Sequence, residues 1–152
     1  MRTVLFVCTG NTCRSPMAEA IARHLIDSGE LGPFEEKMFA VSAGTSALDG
    51  STVSPEAIHA LARLGIGHDG RSKRLTAKMI RGADWVFGMT ANHVHQARQL
   101  VASEREQVSK IVPLDPDGDV EDPIGLGDAA YDRLARVLME LVPKQLAEMQ
   151  KL

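Results

Sequence analysis

The stretch Val4-Leu5-Phe6-Val7-Cys8-Thr9-Gly10-Asn11-Thr12-Cys13-Arg14-Ser15-Pro16 constrains the fold of this chain more than any other. An uninterrupted apolar run is the pattern of a strand buried on both faces, which implies a parallel sheet covered on two sides. The residues after it have turn chemistry. Pro16 suits the first turn of a helix, where its missing N–H costs nothing. A strand, a tight loop and a helix N-terminus in that order can cradle a dianion among backbone N–H groups at the positive end of the helix. Cys8 would stand at the base of that cradle and Arg14 at its rim. The field that holds a phosphate also favours a thiolate, so Cys8 is a candidate nucleophile toward phosphorus.

Each loop residue has a physical role to fill. Gly10 can adopt positive φ and lets the backbone approach the anion closely. Asn11 tolerates the left-handed region, and its amide can bond back to the loop. The fork of Arg14 can hold two equatorial oxygens at once. Ser15 can donate its hydroxyl to the sulfur, and Thr9, Thr12 and Cys13 complete the loop. Taken alone, Cys8 could be a buried core cysteine. The arginine, the serine and the Gly-Asn turn at this spacing weigh against that.

Cys8 to Pro16 resembles the phosphate-binding loop of the low-molecular-weight protein tyrosine phosphatases. Ser42-Ala43-Gly44-Thr45 and Asp122-Pro123 resemble that family's later signatures in their usual order, so the resemblance spans an expected single domain, 1–152. Thr12 resembles the bacterial protein arginine phosphatases, where tyrosine-specific members usually carry an aliphatic residue. The resemblance implies a cysteine-dependent protein phosphatase working through a thiophosphate, with no cofactor or metal. It also implies a flavodoxin-like α/β fold: four parallel strands in the order 2-1-3-4, with helices on both faces.

A net charge of −3 offers no basic surplus for a nucleic-acid backbone. Any phosphate affinity must then be local to the loop and Arg14. Two cysteines give neither a disulfide framework nor a zinc pattern. The N-terminal apolar run is too short for a signal peptide, and no segment approaches a membrane span. A cytoplasmic monomer acting on a phosphorylated protein is the expectation.

Strands are expected over Thr3–Val7, Met38–Val41, Asp84–Met89 and Val108–Leu114. Ser42 to Ser46 would place small residues beside the phosphate loop. Met17, Ala20, Ile21 and Leu25 mark a first helix, and Ser54-Pro55 starts a second that Gly65 stops. Thr76 would cap a short helix, and Thr90 one running to about Ala102. Ala130, Leu134, Val137, Leu138 and Leu141 mark a last helix that Pro143 should kink or interrupt. The sheet's carboxyl end, where such folds place their sites, would gather the loops after the strands.

A leaving group needs a proton, and Asp115, Asp117, Asp119, Glu121 and Asp122 all lie in one loop. Composition does not choose among them. The resemblance favours Asp122, with Asp115 before Pro116 as the decoy, and Pro123 would help hold the Asp122 carboxylate over the loop. Cys13 either fills space beneath the loop or, as the family implies, forms a reversible disulfide with Cys8 under oxidant. His24 on the first helix, and His93 and His95 on the surface of the helix after Thr90, are expected to have no direct role, and His68 is expected as a structural hydrogen-bond partner.

Tyrosine-specific relatives line the slot above the loop with aromatic residues. At the matching positions this chain has Leu48 and, after Pro123, Ile124 and Gly125. A phenol ring would lose stacking worth about 0.5–1.5 kcal/mol per pair. With Thr12 at the entry, phosphoarginine is favoured over phosphotyrosine. An arsenate reductase would need further cysteines in mid-chain, and none follows Cys13. A non-catalytic phosphate-binding module would be expected to lack the nucleophile, arginine or acid. A loosely specific small-molecule phosphatase stays open.

Overall fold

The computed structural model describes residues 1–150, so the last two positions of the expected 1–152 domain lie outside the described residues. Its strands are β1 (Arg2–Cys8), β2 (Met38–Gly44), β3 (Trp85–Gly88) and β4 (Ile111–Pro113). They form one parallel sheet in the order β2-β1-β3-β4. The expected order 2-1-3-4 is the observed one. As the inner strand against β2 and β3, β1 is apolar on both faces. Val4, Phe6 and Cys8 enter one core and Leu5 and Val7 the other. A strand wetted on one face would have alternated.

Helices α1 (Arg14–Ser28), α2 (Pro55–Arg63) and α6 (Asp128–Gln150) cover the first face. Helices α3 (Ala77–Gly82) and α4 (Ala91–Leu100) cover the second, through Ile80, Val94 and Ala97. The expected caps are made: the Ser54, Thr76 and Thr90 side chains accept from Ala57, Met79 and His93 N–H groups. In adjacent strands Phe6 stands opposite Phe87, their rings stacked with centroids 6.0 Å apart.

Two elements differ from expectation. The fourth strand does not begin at Val108, because Arg105–Ser109 is a short helix, α5. The Val108 N–H bonds back to the Glu104 carbonyl, closing a turn, and its side chain reaches the second core from there. Pro143 does not interrupt α6, which runs through it to Gln150. A mid-helix proline costs about 3 kcal/mol. Leu138, Val142 and Leu146 beside it are fully buried, and about 1.5–3 kcal/mol for each outweighs that cost. Val137, expected on the buried stripe, is 41% exposed.

Candidate active site

At the carboxyl end of β1 the chain turns through residues 9–13 into α1. The carbonyls of Cys8, Thr9 and Thr12 accept from the N–H groups of Thr45, Ser46 and Ser54 at 2.9, 3.0 and 2.9 Å. In a trans peptide the following N–H points the opposite way. The Thr9, Gly10 and Cys13 N–H groups therefore face the concave side of the loop. The first turn of α1 carries no acidic residue, so nothing there offsets its positive end.

The left-handed residue of this loop is Asn11, with φ 55, and not Gly10, which lacks positive φ. Of the two residues able to take that region, the structure uses Asn11. The strain at a non-glycine residue is about 1–2 kcal/mol, and the Asn11 side chain offsets it with three hydrogen bonds. Its Nδ2 donates to Ser15 Oγ at 2.8 Å and Ser42 Oγ at 2.9 Å, and its Oδ1 accepts the Lys73 N–H at 2.9 Å. At about 1 kcal/mol each, these bonds hold the turn. Ser42 passes its own hydrogen to buried Glu19 at 3.1 Å, and His68 Nδ1 stands 3.5 Å from the same carboxylate. Burial pushes His68 below its ordinary range, with Glu19 opposing.

Cys8 is buried, and its sulfur lies 2.9 Å from Ser15 Oγ. Ser15 already receives the Asn11 amide, so its one hydrogen goes either to the sulfur or to the Ala43 carbonyl at 3.5 Å. The hydroxyl can thus donate to a Cys8 thiolate and turn to Ala43 when the sulfur carries its own proton. Arg14 is buried, with one nitrogen 3.1 Å from the Val120 carbonyl and the other 3.6 Å from Asp122 Oδ2.

A cleft of about 180 Å³ opens over the sulfur, lined by Cys8, Thr9, Gly10, Thr12, Cys13, Arg14, Asp122 and Ile124. Of the five loop carboxylates, Asp122 alone lines it among the described residues. Its Oδ1 accepts the Ile124 N–H across Pro123 at 3.1 Å, aiming the other oxygen at Arg14. Asp115 instead accepts the Asp117 N–H in its own turn. Leu48 is 76% exposed and is not among the residues lining the cleft. Cys13 is a free, buried thiol with Tyr131 Oη at 3.4 Å and Ser54 Oγ at 3.5 Å. Burial first, and the bond to Cys13, push the Tyr131 phenol up to about 12.

His93 is the residue that sequence reasoning misplaced. It is 2% exposed, not on the surface, because the N-terminus of α4 packs against Gly88, where a Cβ would meet Val94 at 2.8 Å. Its Nε2 pairs with Thr9 Oγ1 at 2.7 Å and its Nδ1 closes a capping box with Thr90. Burial first, then the Arg14 charge, push the ring down to about 4, opposed by Asp119 and Asp122. The available signal was Thr90-x-x-His93, a cap spacing in which glutamate or glutamine is usual at the last position.

A family model described as low molecular weight phosphotyrosine protein phosphatase matches residues 3–152. The chain is 36% identical over 154 residues to a protein-arginine-phosphatase of Bacillus subtilis, covering 97% of this chain and 96% of that relative. A solved structure of the YwlE arginine phosphatase, a cysteine-to-serine mutant with a phosphorylated active-site serine, matches with TM-score 0.85 at 32% identity. That match covers 98% of this chain and 95% of the other. A low molecular weight protein tyrosine phosphatase from T. tengcongensis matches with TM-score 0.83 at 39% identity, covering 97% and 99%. With loop, topology and nearly full-length similarity in agreement, the chain belongs to the low molecular weight phosphotyrosine protein phosphatase family and is a phosphatase.

Proposed function

We propose that this phosphatase removes phosphate from arginine side chains of proteins. Cys8 attacks phosphorus as a thiolate, forming the S–P bond as the P–N bond breaks. Asp122, as the acid, gives its proton to the departing guanidine nitrogen. Arg14 and the inward N–H groups hold the equatorial oxygens, whose charge grows as the bonds exchange. Ser15 steadies the sulfur as attacker and later as leaving group. Water then cleaves the S–P bond, giving its proton to Asp122 and releasing inorganic phosphate with Cys8 restored as thiolate.

The observation that carries the choice of arginine is the composition of the cleft wall. Ile124 stands where a phenol would need an aromatic partner, Thr12 adds a small polar side chain at the entry, and among the described residues no aromatic side chain lines the cleft. A planar, polar guanidine tolerates that wall, and once Asp122 has given up its proton the carboxylate can accept one of its N–H groups. The relative named as a protein-arginine-phosphatase supports the same reading. Phosphotyrosine is the second reading, favoured by the 39% identical tyrosine phosphatase.

Cys8, Arg14 and Asp122 already meet round one cleft within a single copy of the chain, and the working form is read as a monomer. The two free thiols suit a reducing cytoplasm, and the net charge of −3 speaks against a nucleic-acid partner. Among the described residues no helix is long and apolar enough to cross a membrane. The deciding experiment compares kcat/KM on phosphoarginine and phosphotyrosine peptides of one sequence. A ratio above unity is expected, and a clear preference for phosphotyrosine overturns the arginine reading.

A further inference from the structure

His93 is a buried base that the phosphoryl chemistry above does not use. Both its ring nitrogens have partners that settle their polarity. Nδ1 lies 3.2 Å from the Thr90 backbone N–H, which can only donate, and 3.0 Å from the Thr90 hydroxyl. That hydroxyl oxygen accepts the His93 backbone N–H at 3.3 Å, leaving its hydrogen free for Nδ1. Nδ1 therefore carries a lone pair, and in a neutral ring the proton sits on Nε2. Nε2–H then donates to Thr9 Oγ1 at 2.7 Å. With its oxygen receiving, the Thr9 hydroxyl keeps its own hydrogen for another acceptor, and Thr9 lines the cleft beside Cys8 and Arg14.

The same helix end also receives the acid loop. Asp119 Oδ1 accepts the Ala91 N–H at 2.9 Å, and the Val120 N–H bonds to the Met89 carbonyl at 2.8 Å. The Val120 carbonyl in turn takes the Arg14 guanidinium. Residues 89–93 thus fasten the loop of the nucleophile and the loop of the acid to one rigid point.

We propose that His93, as the neutral Nε2–H tautomer, is a positioning residue for phosphoryl transfer, holding Thr9 so that its hydroxyl donates to a phosphoryl oxygen in the cleft. Protonating the ring would set a second N–H at Nδ1 against the Thr90 N–H. The groups facing the ring are Thr9 and Arg14 from the nucleophile loop and α1, Thr90 from its own helix cap, and Asp119 and Asp122 from the acid loop. Burial and Arg14 outweigh the two carboxylates, so the neutral form is the working one near pH 7. The inference rests on the catalytic reading of the Cys8 loop, not on which phosphorylated residue is cleaved.

The test combines imidazole nitrogen NMR of the wild-type protein with steady-state kinetics on p-nitrophenyl phosphate. The His93 ring is expected to be neutral and Nε2-protonated at about pH 7; an Nδ1–H tautomer or a charged ring overturns the proposal. Thr9→Val and His93→Phe should each lower kcat about tenfold, the worth of one hydrogen bond, with KM changed less than about threefold. The double variant should be no slower than the slower single variant. Losses that multiply overturn the proposal, since residues acting through one another do not add. His93→Gln keeps an acceptor for Thr90 and a donor for Thr9, and should recover most of the phenylalanine loss; a glutamine variant as slow as phenylalanine overturns it. If His93→Phe does not fold, Thr9→Val and His93→Gln carry the test with the NMR result. Absence of wild-type turnover would sink the catalytic reading itself, which a failed positioning role would leave intact.

Discussion

Gly44 lies so close to the turn after Cys8 that a Cβ there would stand 2.3 Å from the Thr9 carbonyl oxygen and 2.9 Å from the Asn11 nitrogen. Both obstacles are backbone, so neither can swing aside. Gly44→Ala must push the loop between Cys8 and Arg14 off β2. A loss of about 1–3 kcal/mol, the usual range for overpacking, is expected together with a fall in kcat on p-nitrophenyl phosphate. Urea unfolding and kinetics check this, and an alanine variant unchanged in both would show that the loop yields freely.

The Ser15 hydroxyl lies 2.9 Å from the sulfur, and the Asn11 amide donates to its oxygen, which leaves its hydrogen for the sulfur or for the Ala43 carbonyl. Ser15→Ala removes the one hydroxyl able to follow the sulfur from attack to departure. A fall in kcat of about ten- to a hundredfold with little change in phosphate affinity is expected, since charge-assisted hydrogen bonds contribute about 1.5–3 kcal/mol. Inhibition by inorganic phosphate measures the affinity. A variant that loses affinity and keeps kcat would reassign the hydroxyl to ground-state binding.

Asp122 faces Arg14 over the cleft, whereas Asp115 is tied into its own turn. Asp122→Ala is expected to slow turnover by about 10²–10⁴, the range for a lost general acid. Asp115→Ala should cost little. Reversed sensitivities on one substrate would move the acid to the earlier aspartate.

Thr12 shares the cleft wall with Ile124. Thr12→Ile adds apolar bulk at the entry and should lower kcat/KM for phosphoarginine peptides while sparing or raising it for phosphotyrosine. One extra methylene-sized contact discriminates by about 10–200-fold. An unchanged ratio would separate Thr12 from specificity.

Acid should weaken the fold through its histidines. His93 is pushed down to about 4 in the folded protein, against about 6.5 when unfolded. Between those values the unfolded chain binds more protons, so stability is complete above about pH 6.5 and drains away as pH falls toward 4, by about 3 kcal/mol at most. His68, lowered by burial, acts in the same direction. Chemical unfolding at about pH 7 and pH 4.5 should show wild type losing more stability than His93→Gln. Equal losses would remove His93 from the balance.

The apolar run of β1, the turn chemistry through Asn11 and the helix-starting Pro16 were legible because each is a local event within a few residues of chain. The same holds for the caps at Ser54, Thr76 and Thr90. Pro143 misled because a local rule met a long helix whose buried face decides its course. Val108 misled because a short apolar run suits a turn of helix as well as a strand.

Residue order alone therefore determined the alternation of strands and helices and put Cys8, Arg14 and Ser15 on one loop, since their spacing spans a single turn. Only the tertiary structure decided which of five aspartates and glutamates faces Arg14, that Asn11 and not Gly10 bears the left-handed turn, and that His93 is buried against Thr9. The physical reason is distance along the chain. Asp122 and His93 reach the loop from 108 and 84 residues past it, as Arg14 to Asp122 and Thr9 to His93, and such meetings depend on how the sheet stacks its loops at one edge, which no local pattern encodes.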